Sequence, residues 1–138
     1  MNQMPNSLPH VTLIVCKKVD ADGGKLDLYG VSDLITVNSS TPNMPLVSVD
    51  LVVLLAVFST TKSWSHEGRL TIQLPSGNEI EAGTFKLRNQ SGRFVGRVIV
   101  PFDFEFKKPG VYWVNGYLDG ALAARYPLWV RHESELVH

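Results

Sequence analysis

Residues 111–130, VYWVNGYLDGALAARYPLWV, decide the fold of this chain. Two strand-like runs flank Asp119-Gly120, a dipeptide that favours the left-handed backbone angles of a two-residue hairpin turn. We therefore predict an antiparallel hairpin in which Leu118 faces Ala121, with pairing that runs outward from the turn.

Both faces of this predicted hairpin are apolar. The first face carries Val111, Trp113, Asn115, Tyr117, Leu122, Ala124, Tyr126 and Leu128. The second carries Tyr112, Val114, Gly116, Leu118, Ala121, Ala123, Arg125 and Pro127. Because a solvated face should be polar, one face packs on the core and the other is covered or forms an exposed patch. Which face is core stays open, since a one-residue bulge would move Arg125 to the other set.

Length and charge indicate a single globular domain without a polyanionic partner. The 138 residues suit one domain spanning 1–138, with loose termini at 1–9 and 132–138. Lys plus Arg and Asp plus Glu are equal at 13 each. This balance argues against nucleic-acid binding, which normally needs a basic surplus, and against attraction to an anionic membrane.

Cysteine content and the first ten residues indicate a cytoplasmic protein. Cys16 is the only cysteine, so the chain forms no internal disulfide. The first ten residues, MNQMPNSLPH, lack the basic and apolar regions of a signal peptide. The longest apolar run, residues 51–58, is far shorter than the ~20 residues that a membrane helix requires.

Strand-like runs recur along the whole chain, and turn signals separate them about every 8–12 residues. The runs cover residues 10–19, 25–29, 31–37, 46–59, 69–74, 79–88 and 93–106, followed by the hairpin. This spacing predicts an all-β, single-domain β-sandwich with mostly antiparallel strands.

Three of these segments carry more detailed predictions. Residues 46–59 are apolar on both sides, which is typical of a central strand whose second face is covered. Residues 93–106 alternate clearly, so Phe104 is expected to be buried and Asp103 to face solvent. Residues 60–67 are polar and are predicted to be a loop that contains Trp64.

No pattern in the chain predicts catalysis, a cofactor or a metal. The histidines at 10, 66, 132 and 138 lack metal-ligand spacing, and Cys16 lies in an apolar strand. The carboxylate pairs Asp103/Glu105 and Glu79/Glu81 read as solvated strand faces rather than acid–base pairs. Residues 20–24, DADGG, read as a turn, because the downstream glutamate of a calcium loop is missing.

The aromatic residues of the hairpin are the remaining functional candidates. Trp113, Tyr117, Tyr126 and Leu128 share one face in the predicted register and are our interface candidates. Such a face is typical of a core, of a protein interface or of a stacking platform for a sugar. We expect the surplus apolar face to pack against a second copy or a partner protein, with Trp113 and Tyr126 as anchors.

Three segments together carry a resemblance to a known family. They are residues 13–37, LIVCKKVDADGGKLDLYGVSDLITV, residues 69–75, RLTIQLP, and residues 109–130, with the pattern P-G-x-Y followed by L-D-G. The chain resembles a family of small bacterial and phage-borne proteins of unknown function. The resemblance implies an immunoglobulin-like β-sandwich and brings no established activity and no catalytic residues.

The sequence therefore predicts a non-enzymatic protein-interaction or assembly module that self-associates or binds another protein through an apolar sheet face. The alternative is a small-ligand or carbohydrate-binding β-sandwich that uses the face of Trp113, Tyr117 and Tyr126. A flat apolar patch favours the first function, and a concave pocket lined by aromatics and amides favours the second.

Overall fold

A computed structural model of the chain describes residues 10–23, 25–58, 64–89 and 95–134, and these form ten strands and no helix. The strands are β1 His10–Cys16, β2 Lys18–Asp22, β3 Lys25–Tyr29, β4 Leu34–Ser39, β5 Val47–Phe58, β6 Trp64–Gln73, β7 Glu79–Asn89, β8 Val95–Phe106, β9 Gly110–Leu118 and β10 Ala121–Ser134. The all-β prediction is confirmed. These residues form no helix that is long and apolar enough to cross a membrane.

Two sheets pack face to face around one hydrophobic core and form a β-sandwich. A three-stranded antiparallel sheet has the order β1-β5-β8, and a five-stranded sheet has the order β4-β10-β9-β6-β7. Every pair is antiparallel except β4 with β10, which is parallel. The short strands β2 and β3 pair with each other as a separate ribbon. The predicted sandwich and its mostly antiparallel pairing are confirmed.

The hairpin turn lies where the sequence predicts it. Asp119 and Gly120 both have positive φ, 51° and 83°, and Leu118 pairs with Ala121. Positive φ at both central residues is the conformation that favours Asp-Gly in a two-residue hairpin, because it matches the right-handed twist of the strands.

Beyond the turn the predicted register of β10 is wrong. The pairing shifts between Leu122 and Ala124, so Ala123 is an extra, bulged residue. One extra residue turns every later side chain to the opposite face. Arg125 consequently pairs with Asn115 on the outer face, whereas Tyr126 faces the core.

β5 is the central strand of its sheet, as its two-sided apolarity predicts. β1 and β8 pair along its two edges. Val53, Leu55 and Val57 point into the core and are at most 1% exposed. Leu54 lies on the opposite face of the strand, away from the five-stranded sheet.

The ends of several elements differ from the sequence prediction. β6 begins at Trp64, so this residue belongs to a strand and not to the predicted loop; residues 59–63 lie outside the described part of the chain. The buried indole packs on Gly96, where any side chain would collide with the ring. The first predicted strand is interrupted at Lys17, and β10 extends to Ser134, past the predicted start of the terminal segment at residue 132. The turn expected between the predicted strands 79–88 and 93–106 lies outside the described part, apart from the backbone of residue 89.

The phenylalanine series of β8 points inward, as predicted, but its members are not equally buried. Phe102 and Phe106 are 8% and 0% exposed. Phe104 packs against the core but is only partly buried, less deeply than the sequence predicts. Asp103 is exposed, as expected.

Candidate functional site

The outer face of the five-stranded sheet carries Trp113 and Tyr117, two of the four interface candidates. Each ring is covered by an arginine from a neighbouring strand. The Cζ atom of Arg125 lies 4.1 Å from the centroid of Trp113, and that of Arg69 lies 4.5 Å from the centroid of Tyr117. A guanidinium over an aromatic face is held by attraction to the negative face of the ring.

Hydrogen bonds fix these arginine–aromatic pairs in place. Asn115 is 1% exposed, and its Oδ1 accepts a bond of 2.9 Å from Nε of Arg125. Nη2 of Arg125 and Nδ2 of Asn115 both donate to Oε1 of Gln73, at 3.1 and 3.4 Å. The bulge at Ala123 is what brings Arg125 beside Asn115, so it positions this network.

The carboxylate of Glu79 holds the second aromatic residue of this face, Tyr117, by a hydrogen bond. The Tyr117 hydroxyl donates to Glu79 at 2.9 Å, and this bond raises the pKa of Tyr117 above its usual value. Glu79 also accepts a 3.0 Å bond from Thr71, which is 1% exposed. Around Trp113 and Tyr117 the face is therefore a layer of paired groups, whereas Val111, Leu122 and Trp129 on the same face are 43%, 50% and 50% exposed.

The other two interface candidates lie on the opposite face of the same sheet. Leu128 is 1% exposed and belongs to the core, and Tyr126 packs against the core from its margin. Burial raises the pKa of the Tyr126 hydroxyl, and the nearby Asp33 raises it further. The prediction that the four candidates share one face is wrong, because the bulge separates Tyr126 and Leu128 from Trp113 and Tyr117.

The outer face of the three-stranded sheet is the other apolar surface. Its residues alternate with core residues in β1, β5 and β8, so their side chains point away from the five-stranded sheet. We call it the outer apolar face, and it consists of Ile14, Val52, Leu54, Ala56, Ile99 and Pro101. Cross-strand pairing places Ile14, Leu54 and Ile99 in one row at its centre. Ile99 is 40% exposed, while Leu54, between its two neighbours, is 6% exposed.

Charged residues flank the central row of the outer apolar face. Toward one end Asp50 pairs directly with Asp103, followed by Glu105 beside Ser48. A hydrogen bond to Asp50, together with the charge of Asp50, raises the pKa of Asp103. In the other direction Arg97 pairs with Ala56, and beyond it Phe58 pairs with Val95, which are 44% and 40% exposed. The sheet face therefore has an acidic end, and a single arginine interrupts its apolar residues at the other.

A histidine–carboxylate pair lies at the hairpin turn. Nδ1 of His66 is 2.6 Å from Oδ2 of Asp119, and the backbone N–H of Glu67 donates to Oδ1 at 2.9 Å. The bond to His66, followed by that of the Glu67 amide, lowers the pKa of Asp119. Asp119 and Gly120 also line an open cavity of about 570 Å³.

The geometry gives this pair a structural role at the hairpin turn. A catalytic histidine–aspartate pair activates a hydroxyl or thiol on its second nitrogen. Among the described residues, no hydroxyl or thiol is hydrogen-bonded to His66. The same part of the chain contains no cluster of three potential metal ligands. Asp119 instead joins the hairpin turn to β6, since its own N–H donates to the Glu67 carbonyl at 2.7 Å.

Fold and surface together define a β-sandwich in which one outer face carries arginine–aromatic pairs and the other has an apolar centre. The chain belongs to the family of unknown function DUF6941, which matches it over residues 11–131. The resemblance to a family of β-sandwich proteins of unknown function is thereby confirmed. No curated protein matches the sequence.

Several solved structures are similar to this chain at low sequence identity. The CARDB domain of a Pyrococcus furiosus protein, solved in complex with di-metal ions, is 13% identical, with 94% of each chain covered and a TM-score of 0.47. Pseudomonas fluorescens alkylpurine DNA glycosylase AlkC, bound to DNA, is 11% identical, with 89% of this chain and 30% of that one covered and a TM-score of 0.50. A β-glucosidase from Listeria innocua is 10% identical, with 94% of this chain and 17% of that one covered and a TM-score of 0.46. The chain thus spans less than a third of the glycosylase and of the glucosidase, and the likeness concerns the fold alone.

Proposed function

We propose that this protein is a non-enzymatic interaction or assembly module that binds a protein through its outer apolar face. The observation that carries the proposal is the central row of Ile14, Leu54 and Ile99, which lies on the outside of the sandwich. The outer faces of a two-sheet sandwich are normally polar, because only the inner faces bury one another. An apolar outer face of this kind marks a surface that another molecule covers.

The shape and chemistry of this surface favour a protein over a small molecule. Small-molecule sites are concave and place a few polar groups inside an apolar cavity. The outer apolar face is one side of an open sheet, and the charged residues Asp103 and Arg97 flank its central row. An apolar centre with a polar rim is the usual anatomy of a protein interface.

The alternative function, carbohydrate binding on the hairpin aromatics, is less favoured by the geometry. A sugar stacks on a free ring face, but Arg125 covers one face of Trp113 and Arg69 covers one face of Tyr117. Tyr126 lies on the other side of the sheet and cannot extend the same platform.

We also place the module in the reducing cytoplasm. Cys16 is 1% exposed, and burial raises the pKa of its thiol, which keeps it in the inert protonated form. A single buried thiol is compatible with a compartment in which disulfides do not form.

A matched pair of surface substitutions tests the proposed function. Ile99→Glu places a charge in the centre of the outer apolar face, and Leu122→Glu changes a residue of similar exposure, 50% against 40%, near the hairpin turn. Both variants should keep the sheet spectrum of circular dichroism and unfold within about 0.5 kcal/mol of the wild type. Immobilised wild type and Leu122→Glu should retain the same protein from an extract of the source cells, and Ile99→Glu should lose it. Equal retention by all three chains would contradict the proposal.

A further inference from the structure

We propose that a cleft between the two sheets, where β7 lies opposite β8, binds a small amphipathic anion, an apolar molecule that carries one carboxylate. We call it the edge cleft; its volume is about 480 Å³, within the range of roughly 300–1,000 Å³ that is usual for small-molecule sites. Its apolar walls are formed by Leu74, Pro75, Ile80, Phe104 and Tyr112. None of these residues belongs to the outer apolar face, so this inference does not depend on the proposed function.

The edge cleft lies where inward-facing side chains are not covered by the opposite sheet. β7 and β8 are edge strands of the two sheets, and they approach each other closely at Gly83, where an added Cβ atom would lie 3.7 Å from a methyl group of Val100. Nearer the start of β7, Ile80 is 45% exposed, although it pairs with the core residue Ile72 and shares its face. Phe104 on the inner face of β8 is also only partly buried. The sandwich therefore leaves part of its apolar interior open at this edge.

Two turns close one end of the edge cleft and hold its walls in place. The turn between β6 and β7 is closed by two backbone hydrogen bonds of 2.8 Å at Leu74. In the turn between β8 and β9, the Tyr112 hydroxyl donates to the Lys108 carbonyl at 2.6 Å. The turns also pack on each other, since a Cβ atom added at Gly110 would lie 2.8 Å from the ring of Pro75. Walls that are ordered before a ligand arrives reduce the entropy lost on binding.

The charge along the edge cleft favours an anion. Lys107 and Lys108 both line the cleft and are exposed. In the part of the chain that the structure describes, neither lysine forms an ion pair. Glu105 also lines the cleft, but it alternates with the inward-facing Phe104 and so belongs to the outer face of β8. The apolar interior of the cleft is thus bordered by two cations without a partner.

The combination of apolar walls and neighbouring lysines selects the class of ligand. A sugar would leave Ile80 and Phe104 without an apolar partner, and a neutral hydrocarbon would leave both lysines without a counter-charge. A molecule with an apolar body and one carboxylate satisfies both parts of the site. A lysine ammonium acts as a point charge, so one carboxylate is sufficient and no planar, two-pronged arrangement of acceptors is required.

Solution NMR of the isotope-labelled full chain at low salt tests the inference, with octanoate as the probe. Octanoate should shift the backbone amides of Ile80, Phe104 and Lys107, with a Kd on the order of 0.1–1 mM. Hexanoate has the same head group and a shorter tail, so it should bind roughly tenfold more weakly because it buries less apolar surface. Octylammonium has the same tail and the opposite charge, and it should also bind about tenfold more weakly because both lysines repel it.

Three variants separate the roles of charge and apolar wall. Lys107→Glu/Lys108→Glu should reverse the preference, so that octylammonium binds more tightly than octanoate. Ile80→Ser should weaken both ligands by about threefold, since it removes part of the apolar wall and leaves the charge unchanged. Lys25→Glu, the same charge change at an exposed position of β3, is the control and should leave both affinities unchanged. All three should keep the wild-type circular dichroism spectrum, because each replaces an exposed side chain.

Each contrary outcome overturns a stated part of the inference. If about 10 mM octanoate, well above the expected Kd, shifts no amide of the edge cleft, the cleft is not a binding site. If the shifts are confined to Ile14, Leu54 and Ile99, octanoate binds the outer apolar face and the edge cleft is again excluded. Equal affinities for octanoate and octylammonium, or an unchanged preference in the double lysine variant, would overturn the selection of an anion. None of these results bears on the cell-extract test of the proposed function.

Discussion

Replacement of Phe106 by alanine should be among the most destabilising single changes in this chain. Phe106 is fully buried, and its ring centroid lies 4.9 Å from those of both Phe104 and Tyr112 in edge-to-face arrangements. Phe104 contacts the same tyrosine at 6.1 Å but is only partly buried. Phe106 is therefore the centre of a three-ring cluster at this end of the core, with Phe104 at its margin.

The size of the effect follows from burial. A buried phenylalanine cut to alanine typically loses about 3–5 kcal/mol, which combines the transfer of the ring with the cavity that remains. Two edge-to-face contacts, each contributing about 0.5–1.5 kcal/mol beyond burial, place Phe106→Ala near the top of that range. Phe104→Ala should cost about 1–3 kcal/mol, because part of its ring already contacts solvent. Asp103→Ala, on the opposite face of the strand, should change stability by less than about 0.5 kcal/mol.

Urea unfolding followed by tryptophan fluorescence measures these differences. The comparison should be made at low protein concentration, since association of the native state would add to the apparent stability. Equal slopes against urea would show that the three variants change stability and not the compactness of the unfolded chain. A loss for Phe104→Ala as large as that for Phe106→Ala would refute the difference in burial between the two rings, and a comparable loss for Asp103→Ala would refute the assignment of the inner face of β8.

Two further positions give sharp predictions. Gly116→Val should destabilise by about 1–3 kcal/mol in the same assay, because even a Cβ atom there would lie 3.1 Å from methyl groups of Leu13 and Leu55. Asp119→Ala should lower the melting temperature more than Asp119→Asn, because asparagine tolerates the positive φ of 51° and alanine does not. The lowered pKa of Asp119 also predicts an acid-dependent loss: its stabilisation is present above the usual carboxyl pKa of 3.8 and disappears as pH falls through the lower folded value. Asp119→Asn should lose less stability on acidification than the wild type, as measured by the melting temperature across pH. If the variant and the wild type show the same pH dependence, the His66–Asp119 pair does not contribute to stability.

The Asp119-Gly120 dipeptide predicted the hairpin turn correctly. The register beyond the turn depends on the bulge at Ala123, and no feature of the sequence marks that bulge. Asp119-Gly120 is a strong signal because few dipeptides accept positive φ at both positions. The bulge at Ala123 lies in the run ALAAR, where small residues tolerate regular and bulged pairing equally well. The pairing of Arg125 with Asn115 and Gln73 is a tertiary contact that identifies the bulge only once the strands are assembled.

The difference between local signals and tertiary contacts also explains why the burial of Phe104 and of Trp64 was predicted incorrectly. Alternation correctly predicts that Phe104 and Phe106 point inward, since side chains of a strand alternate between faces. Alternation does not reveal where along the strand the opposite sheet ends, and that decides how deeply each ring is buried. Trp64 was predicted in a loop because its neighbours are polar, and the glycine that accommodates its ring, Gly96, is 32 residues away in the chain.

The sequence predicted the contribution of β5 to the candidate site but not that of the neighbouring strands. The two-sided apolarity of residues 46–59 predicts that the second face of β5 needs a cover. The residues that widen this face, Ile14 and Ile99, lie in β1 and β8, and their place beside Leu54 follows from the order of strands in the sheet. Sheet order is set by non-local pairing, which no local periodicity in the sequence specifies.

The two outer faces of the sandwich differ in how their apolar side chains are paired within the chain, and this difference supports the proposed interaction surface. Both sheets contain strands that are apolar on two sides. On the five-stranded sheet the bulge at Ala123 brings Arg125 over Trp113, and Arg69 lies over Tyr117, while Trp129 on the same face is 50% exposed. On the three-stranded sheet cross-strand pairing gives the central row of the outer apolar face apolar neighbours, and Ile99 in that row is 40% exposed. If the proposed function holds, substitutions at Trp113 should affect stability and substitutions at Ile99 should affect association.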